Sequence, residues 1–332
     1  MNKKMLFVFN PHAGKGLIRN NLCDIIDIFT AGGYDVLAYA TQSQGDGYEK
    51  IIESGKDYDM ITCSGGDGTL SESVSALMKL RETDPTLKTP LGYIPAGSTN
   101  DFANSLGISK KMLNAALGIM QGTHFDCDIG QLNNKYYVYV AGFGAFTDVS
   151  YETPQSAKNR FGHAAYVAEA LKRLPKITGQ TVTVEHDGET ITGNFIIGLI
   201  SNSRSIGGMK KLISPDVVFD DGLFEVVLAR TPENAIGLSS LIADAARNKL
   251  TDKNFVTFKT SKVTFKSENE IPWTLDGEAG GKHKEVTITN HRQAVRLVLS
   301  SSMLDLETDE IQSDNTTDPK EYVLEDQSDI ED

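Results

Sequence analysis

In the first third of the chain, apolar positions fall into short continuous runs separated by stretches with helical spacing. Met5 to Phe9, Asp35 to Ala40, Asp59 to Cys63 and Leu91 to Ile94 read as strands. The first of these has no polar position, as expected of a strand covered on both faces. Leu17 to Thr30, Tyr48 to Ser54 and Leu70 to Leu80 place apolar residues three and four apart and read as helices, and a further helical pattern runs through Gln121. Strands alternating with helices predict a parallel sheet, and such a sheet gathers the loops at the carboxyl ends of its strands on one edge.

Beyond Phe125 the pattern changes to Val, Ile, Thr and Tyr punctuated by turns, as in KYYVYVAGF, QTVTVEHDGETITGNFIIGLIS, FDDGLFEVVLA and FVTFKTSKVTFKS. His186-Asp187-Gly188-Glu189 is a hairpin signal. These features predict a mostly antiparallel second domain, a β-sandwich, with helices near Ala157 to Leu174 and Glu233 to Asn248. The boundary is expected between Gly122 and Phe125, and Ala294 to Ser300 is expected to re-enter the first sheet. The domains so drawn are 1–124 with about 291–303, then 125–290, then a tail over 304–332.

Composition narrows the class. With 332 residues, 39% hydrophobic and 23% charged, the chain has the make-up of a two-domain globular protein and not of a collagenous, disordered or polytopic membrane chain. The net charge of −13 is concentrated at one end: Asp305 to Asp332 holds twelve acids and Lys320, which leaves −2 for the body. A nearly neutral body is compatible with locally basic clefts, whereas the pI is set by the tail. That tail is too polar to bury a core and is expected to be disordered, with Tyr322-Val323-Leu324 as an alternative partner-binding segment.

Cys23, Cys63 and Cys127 are odd in number and widely spaced, suggesting a reducing compartment. Met5 to Phe9 is too short for a signal peptide, and no stretch is long and apolar enough to span a bilayer. The expected location is cytoplasmic, with any membrane contact made from the cytoplasmic surface.

Three strands run into small-residue loops. Ser64-Gly65-Gly66-Asp67-Gly68-Thr69 follows a strand and opens a helix. Its glycines let backbone N–H groups approach a phosphate, and the helix N-terminus adds its positive end. Asp67 inside such an anion site calls for an offsetting cation such as magnesium or a transferred proton, which points to phosphoryl transfer; its bland role is a helix cap. Asn10-Pro11-His12-Ala13-Gly14-Lys15-Gly16 fails as a P-loop, because Gly16 stands where Ser or Thr is required and Phe9 where the first glycine is required. It survives as a nucleotide-contacting turn. In Pro95-Ala96-Gly97-Ser98-Thr99-Asn100-Asp101-Phe102 the hydroxyls and the amide can bond phosphate or ribose, or Asn100 and Asp101 can cap a helix. Far along the chain, Leu275-Asp276-Gly277-Glu278 brings two carboxylates around a glycine, suited to a general base but equally to a plain turn such as Asp187-Gly188-Glu189.

Taken in order, NPHAGKG, GGDGT, PAGSTNDFA and LDGE closely resemble the diacylglycerol kinase catalytic family, in particular the soluble bacterial lipid kinases related to sphingosine and ceramide kinases. The likeness spans about residues 4 to 300. It implies a phosphofructokinase-like three-layer α/β domain that binds ATP and an antiparallel β-sandwich domain that holds a lipid. It places Asn10, Pro11, Gly14, Thr41, Gly65, Gly66, Asp67, Gly68, Thr69, Glu72, Ser98, Asn100 and Asp101 at the nucleotide. Catalysis falls to Glu278 as proton acceptor, with Asp67 and Asp276 beside it. Asp221, with the carbonyls of Val218 and Leu223, falls on the family's structural magnesium ligands, and a second magnesium accompanies ATP. Ala13 and Ser98 depart mildly from the family's usual Ser and Thr.

The function implied is ATP-dependent phosphorylation of a membrane-lipid hydroxyl, most simply that of diacylglycerol to give phosphatidic acid. No nucleic-acid partner is expected, and the family is compatible with a homodimer through the second domain. Two rivals are an NAD kinase, which shares the GGDG turn but needs its own Asn-Glu motif, and a non-catalytic lipid-binding protein of the same fold. The basic positions Lys158, Arg160, Lys172, Arg173 and Lys176 read as a solvated face or a contact to anionic lipid.

Overall fold

The computed structural model of the protein describes residues 2–144, 179–206, 209–210, 217–247 and 249–300. The helix expected at Ala157 to Leu174, the basic positions on it and beside it, and the tail over 304–332 lie outside these residues.

The first part is built as the apolar pattern dictates. Strands β1 (Lys3–Phe9), β2 (Tyr34–Ala40), β3 (Met60–Gly65) and β4 (Leu91–Pro95) form a parallel array in the order β2-β1-β3-β4. Alternation along β1 divides its side chains between two cores. Met5, Phe7 and Phe9 pack with Ile18, Ile25 and Phe29 of α1 (Ile18–Ala31) and with α5 (Met112–Gln121). Leu6 and Val8 pack on the other face with Ile51 of α2 (Asp46–Ser54) and with Leu70 and Val74 of α3 (Asp67–Thr83). Helices on both faces of a parallel sheet make the three-layer α/β unit. Full burial of each of these side chains contributes about 1.5–3 kcal/mol before entropy is counted. The helical pattern before Gln121 is two helices, since a short α4 (Asp101–Ser105) precedes α5.

The second part is antiparallel. After β5 (Thr123–Leu132), β6 (Lys135–Tyr137) and β7 (Val140–Gly144) come β8 (Gln180–His186) and β9 (Glu189–Ser201), joined by the expected hairpin with His186 opposite Glu189. Then follow the short β10 (Ser205–Ile206) and β11 (Met209–Lys210), β12 (Phe224–Arg230), helix α6 (Ala235–Ala246), β13 (Phe255–Thr260), β14 (Lys262–Leu275) and β15 (Glu278–Leu299). Alternate residues Val263 and Phe265, then Ile271, Trp273 and Leu275, point into a separate core with Phe143, Phe195 and Phe224. Both runs fall on odd positions and so share one face, although the register with β15 shifts between Lys266 and Ile271.

Strand β15 belongs to both parts. From Glu278 it pairs with β14, and near its end Leu297 pairs in parallel with Leu91 of β4. Its pairing with β5 is interrupted between His291 and Val295, where Gln293 adopts φ 49° and the strand bends. The hydrogen-bonded path β13-β12-β9-β7-β14-β15-β4-β3-β1-β2 therefore runs unbroken through both domains.

Candidate active site

The carboxyl edge of the parallel strands gathers the three loops into direct backbone contact. The Asn10 N–H donates to the Ser64 carbonyl at 2.8 Å, which ties the loop after β1 to β3. The Gly65 carbonyl accepts from the N–H groups of Ala96 (2.7 Å) and Gly97 (3.2 Å), which ties β3 to the loop after β4. Small residues are required at these crossings. A Cβ on Gly97 would stand 2.6 Å from the Gly66 Cα, and one on Gly14, whose φ is +55°, would stand 2.3 Å from the Ala96 carbonyl oxygen.

Within the loops, the Asn10 Oδ1 accepts from the His12 N–H at 2.9 Å and the Pro11 carbonyl accepts from Arg19 Nε at 3.2 Å. Thr41 is buried against the end of β1, its N–H donating to the Phe9 carbonyl at 2.9 Å. Asn100, at φ 53°, closes its own turn: Oδ1 accepts from the Gly97 N–H at 2.9 Å and Nδ2 donates to the Gly97 carbonyl at 2.8 Å. Ser98 is exposed at the tip of the same loop. Thr69 packs under Gly65, where a Cβ would fall 2.2 Å from its Oγ1.

Asp67 opens α3 and reaches across to α4. Its carboxylate accepts from the N–H groups of Asp101 (3.2 Å) and Phe102 (3.4 Å), two of the donors that the start of a helix leaves without intrahelical partners. Burial, followed by the repulsion of Asp101, raises its pKa from 3.8 to about 7, and Asp276 adds to this. Such a group takes a cation readily in its charged form, and hard oxygen donors of this kind fit magnesium. Glu72, one turn further along α3, accepts from the Gly45 N–H at 2.7 Å and is also raised in pKa, chiefly by burial.

The distant Asp-Gly-Glu turn arrives at the same place. Glu278 is exposed, and its Oε1 lies 2.8 Å from the position that a Cβ on Gly68 would take. A Cβ on Gly68 would meet the carboxylate in this position, and the positive end of the helix favours its charge. The other oxygen, Oε2, accepts from Gln44 Nε2 at 2.7 Å. Gln44, in the loop after β2, is a site residue that the sequence reading misses. Its neighbours Thr41 and the glycines at 45 and 47 mark a loop at the strand edge, but nothing local couples it to position 278.

Asp276 has a different setting from Glu278. Fully enclosed and raised in pKa by burial, it accepts from three successive backbone N–H groups, Val138 (2.7 Å), Tyr139 (2.9 Å) and Val140 (3.2 Å). It fastens the turn to the chain entering β7.

The loop holding Val218, Asp221 and Leu223 adjoins α4, with Phe219 edge-to-face on Phe102 at 6.5 Å between ring centroids. Asp221 Oδ1 accepts from the Leu223 N–H at 2.8 Å, and the neighbouring Gly222 N–H donates to the buried Asp128 at 2.6 Å. Among the described residues no three His, Cys, Asp or Glu side chains form a metal cluster, so an ion here would draw on one carboxylate and main-chain carbonyls.

Residues 4–132 match the diacylglycerol kinase catalytic domain, and residues 139–299 match the YegS C-terminal NAD kinase beta sandwich-like domain. The diacylglycerol kinase of Bacillus subtilis (strain 168) is 31% identical over 281 residues, 84% of this chain and 91% of that protein. The chain belongs to the diacylglycerol kinase family. The diacylglycerol kinase of Staphylococcus carnosus (strain TM300) is 32% identical over 287 residues, covering 85% of this chain and 90% of that protein. A crystal structure of a diacylglycerol kinase from Bacillus anthracis str. Sterne shares the fold, with a TM-score of 0.71, 21% identity and coverage of 91% and 98%. The two-domain α/β and β-sandwich architecture and the assignment as a lipid kinase thus agree with the sequence reading. In this lipid kinase no helix of the described residues is long and apolar enough to cross a membrane.

Proposed function

We propose that this lipid kinase transfers the terminal phosphoryl group of ATP to the free hydroxyl of diacylglycerol, with Glu278 as the general base. The observation that carries the reading is the approach of Glu278 to Gly68 across 210 positions of sequence, which sets an exposed carboxylate against the glycine-rich helix start. Backbone N–H groups of the Gly65 to Thr69 turn hold the triphosphate, with Asn10, Gly14, Thr41 and the Gly97–Asn100 loop closing around the nucleotide. Gln44 holds Glu278 in place, leaving Oε1 to accept the hydroxyl proton as the oxygen attacks the terminal phosphorus and the bond from that phosphorus to the bridging oxygen breaks, releasing ADP. Asp67 and Asp101 are the carboxylates that would hold magnesium, which when bound offsets phosphate charge. Asp276 positions Glu278 through the turn. Asp221, with the carbonyls of Val218 and Leu223, would hold a structural magnesium ion. Docking of the lipid takes place from the cytoplasmic face of the membrane.

Diacylglycerol as acceptor rests on the names of the relatives. It is tested by incubating the purified protein with labelled ATP and a membrane lipid extract, then identifying the labelled product. Phosphatidic acid is expected; label confined to another lipid would replace the acceptor, and no labelled lipid would remove the reading.

A further inference from the structure

The loop from Val217 to Leu223 is bordered by buried oxygen atoms that lack donors. Asn202 Oδ1, Asn290 Oδ1 and Glu225 Oε2 have no hydrogen-bond partner among the described residues. The two amides are fixed by their other ends: Asn202 Nδ2 donates to the carbonyls of Asp128 (3.2 Å) and Phe219 (3.5 Å), and Asn290 Nδ2 donates to Asp128 Oδ2 (3.2 Å). That same carboxylate oxygen accepts from the Gly222 N–H in the loop. Turning either amide over would break these bonds, so the shortage is one of donors and not of orientation.

Glu225 is the most demanding of the three, because it can carry a charge. It is only 5% exposed; Oε1 pairs with Lys259 Nζ on β13 at 2.9 Å, and Oε2 is left over. Alternation along β12 sends Phe224, Val226 and Leu228 into the sandwich core and turns Glu225 to the other face with Val227 and Ala229, which share a cluster with Val217 and Phe219 of the loop. The carboxylate therefore lies on the side where the loop packs. Its pKa is raised, first by burial, with the charge of Asp221 adding to it. A buried carboxylate oxygen without a donor calls for a missing water or ion. One carboxylate oxygen and two carbonyls fill about half of magnesium's octahedral shell, and water, a donor, takes the rest.

We propose that Glu225 is an outer-shell partner of the ion at Asp221, its free Oε2 accepting a hydrogen bond from water carried by that ion. The proposal rests on the reading of Asp221, Val218 and Leu223 as the ion's ligands. Lys259 holds Oε1 and so aims Oε2, and the ion ties β12 and β13 to the loop whose Phe219 packs on Phe102. Phe102 gives its N–H to Asp67, so a filled site braces the start of α4 against the candidate active site. Glu225 acts here as a positioning residue and touches neither ATP nor lipid.

The test is calorimetric titration of magnesium into the full chain, stripped of metal and nucleotide and carrying Asp67→Asn so that the candidate active site does not compete. One equivalent is expected to bind to this parent and to be lost in Asp221→Ala. Glu225→Leu is expected to weaken binding about 10- to 100-fold, and Glu225→Gln, which keeps an oxygen but no charge, by less. Lys259→Met removes the neighbour of Oε1 and leaves the acceptor in place, so its affinity should hold or rise. Melting temperatures with and without magnesium separate ion loss from misfolding. Without the ion, Glu225→Leu should melt no lower than the parent, since an apolar group replaces a buried charge, and it should gain little when the ion is added. If it melts lower without the ion, Glu225→Gln decides in its place, and an unchanged affinity there overturns the proposal. Unchanged affinity in Glu225→Leu, or an equal loss in Lys259→Met, also overturns it while leaving Asp221 a ligand. No saturable binding in the parent, or binding that survives Asp221→Ala, overturns the reading of Asp221 and the proposal with it.

Discussion

Glu278 and Gln44 meet although 234 residues separate them, and the bond between them divides the work of the carboxylate between holding and accepting. Replacing Glu278 by Gln keeps the bulk and removes the proton acceptor. Turnover is expected to fall about 100- to 10,000-fold with little change in the KM for ATP, measured by steady-state phosphate transfer. Gln44→Ala frees the carboxylate without removing it, so kcat is expected to drop roughly tenfold or less while KM for ATP stays put. Gln44→Glu sets a like charge 2.7 Å away and should be worse than Ala, an order that a purely structural role would not give. Local sequence could not have separated these parts. Asp187-Gly188 and Asp276-Gly277 have nearly the same backbone, φ 45° and 83° against 50° and 85°, because both are two-residue hairpin turns. One is an ordinary surface turn and the other presents Glu278, and the difference is made entirely by what the fold packs around Asp276. Asp276→Asn replaces an acceptor of three N–H groups by a weaker one and leaves a donor among them. A loss of about 2–3 kcal/mol in chemical denaturation is expected, with activity falling alongside stability.

At the scale of elements, the start of α3 is shaped for approach and not for helix stability. Gly68 has an ordinary negative φ, so alanine suits its backbone and improves helix propensity by up to about 1 kcal/mol. The added Cβ would nevertheless meet Glu278 Oε1 at 2.8 Å and push the carboxylate away. Gly68→Ala is therefore expected to lower kcat about tenfold or more while the melting temperature holds or rises, a split that marks the glycine as functional. The strands and helices of the first domain were legible because each buried face has a clean period, and Asp187-Gly188 announced its hairpin. The continuity of β15 was not legible. The segments GEAGGKHKEVTITN and AVRLVLS look like separate strands, and only pairing with β14 at one end and β4 at the other reveals one element bent at Gln293. The meeting of Gly66 with Gly97 was likewise foreseeable only in kind: strand ends converge in such sheets, but which glycines touch depends on register.

For the whole molecule, the buried carboxylates set the response to pH. Asp67 is held at about 7 against an ordinary value of 3.8, and Asp276, Glu72, Asp128 and Glu225 are all displaced upward, in each case first by burial. Between those two values the folded protein keeps a proton on Asp67 that the unfolded chain has released. Stability is then greatest below about pH 4, as far as this group is concerned, and declines as pH rises to 7. Asp67→Asn removes the term while leaving an acceptor oxygen for the Asp101 and Phe102 N–H groups. In urea denaturation of the nucleotide-free protein, the variant is expected to exceed the wild type at pH 8 by about 1–3 kcal/mol and to match it more closely near pH 4. Magnesium should narrow the gap at pH 8 by stabilising the wild type more than the variant, which keeps Asp101 and Asp221 but lacks the charge at position 67. A variant less stable than the wild type at pH 8, or one that gains equally from magnesium, would mean that Asp67 serves chiefly as the cap of α4. The same substitution should nearly abolish phosphoryl transfer, so that stability and activity move in opposite directions, as expected where like charges are crowded for chemistry and not for folding.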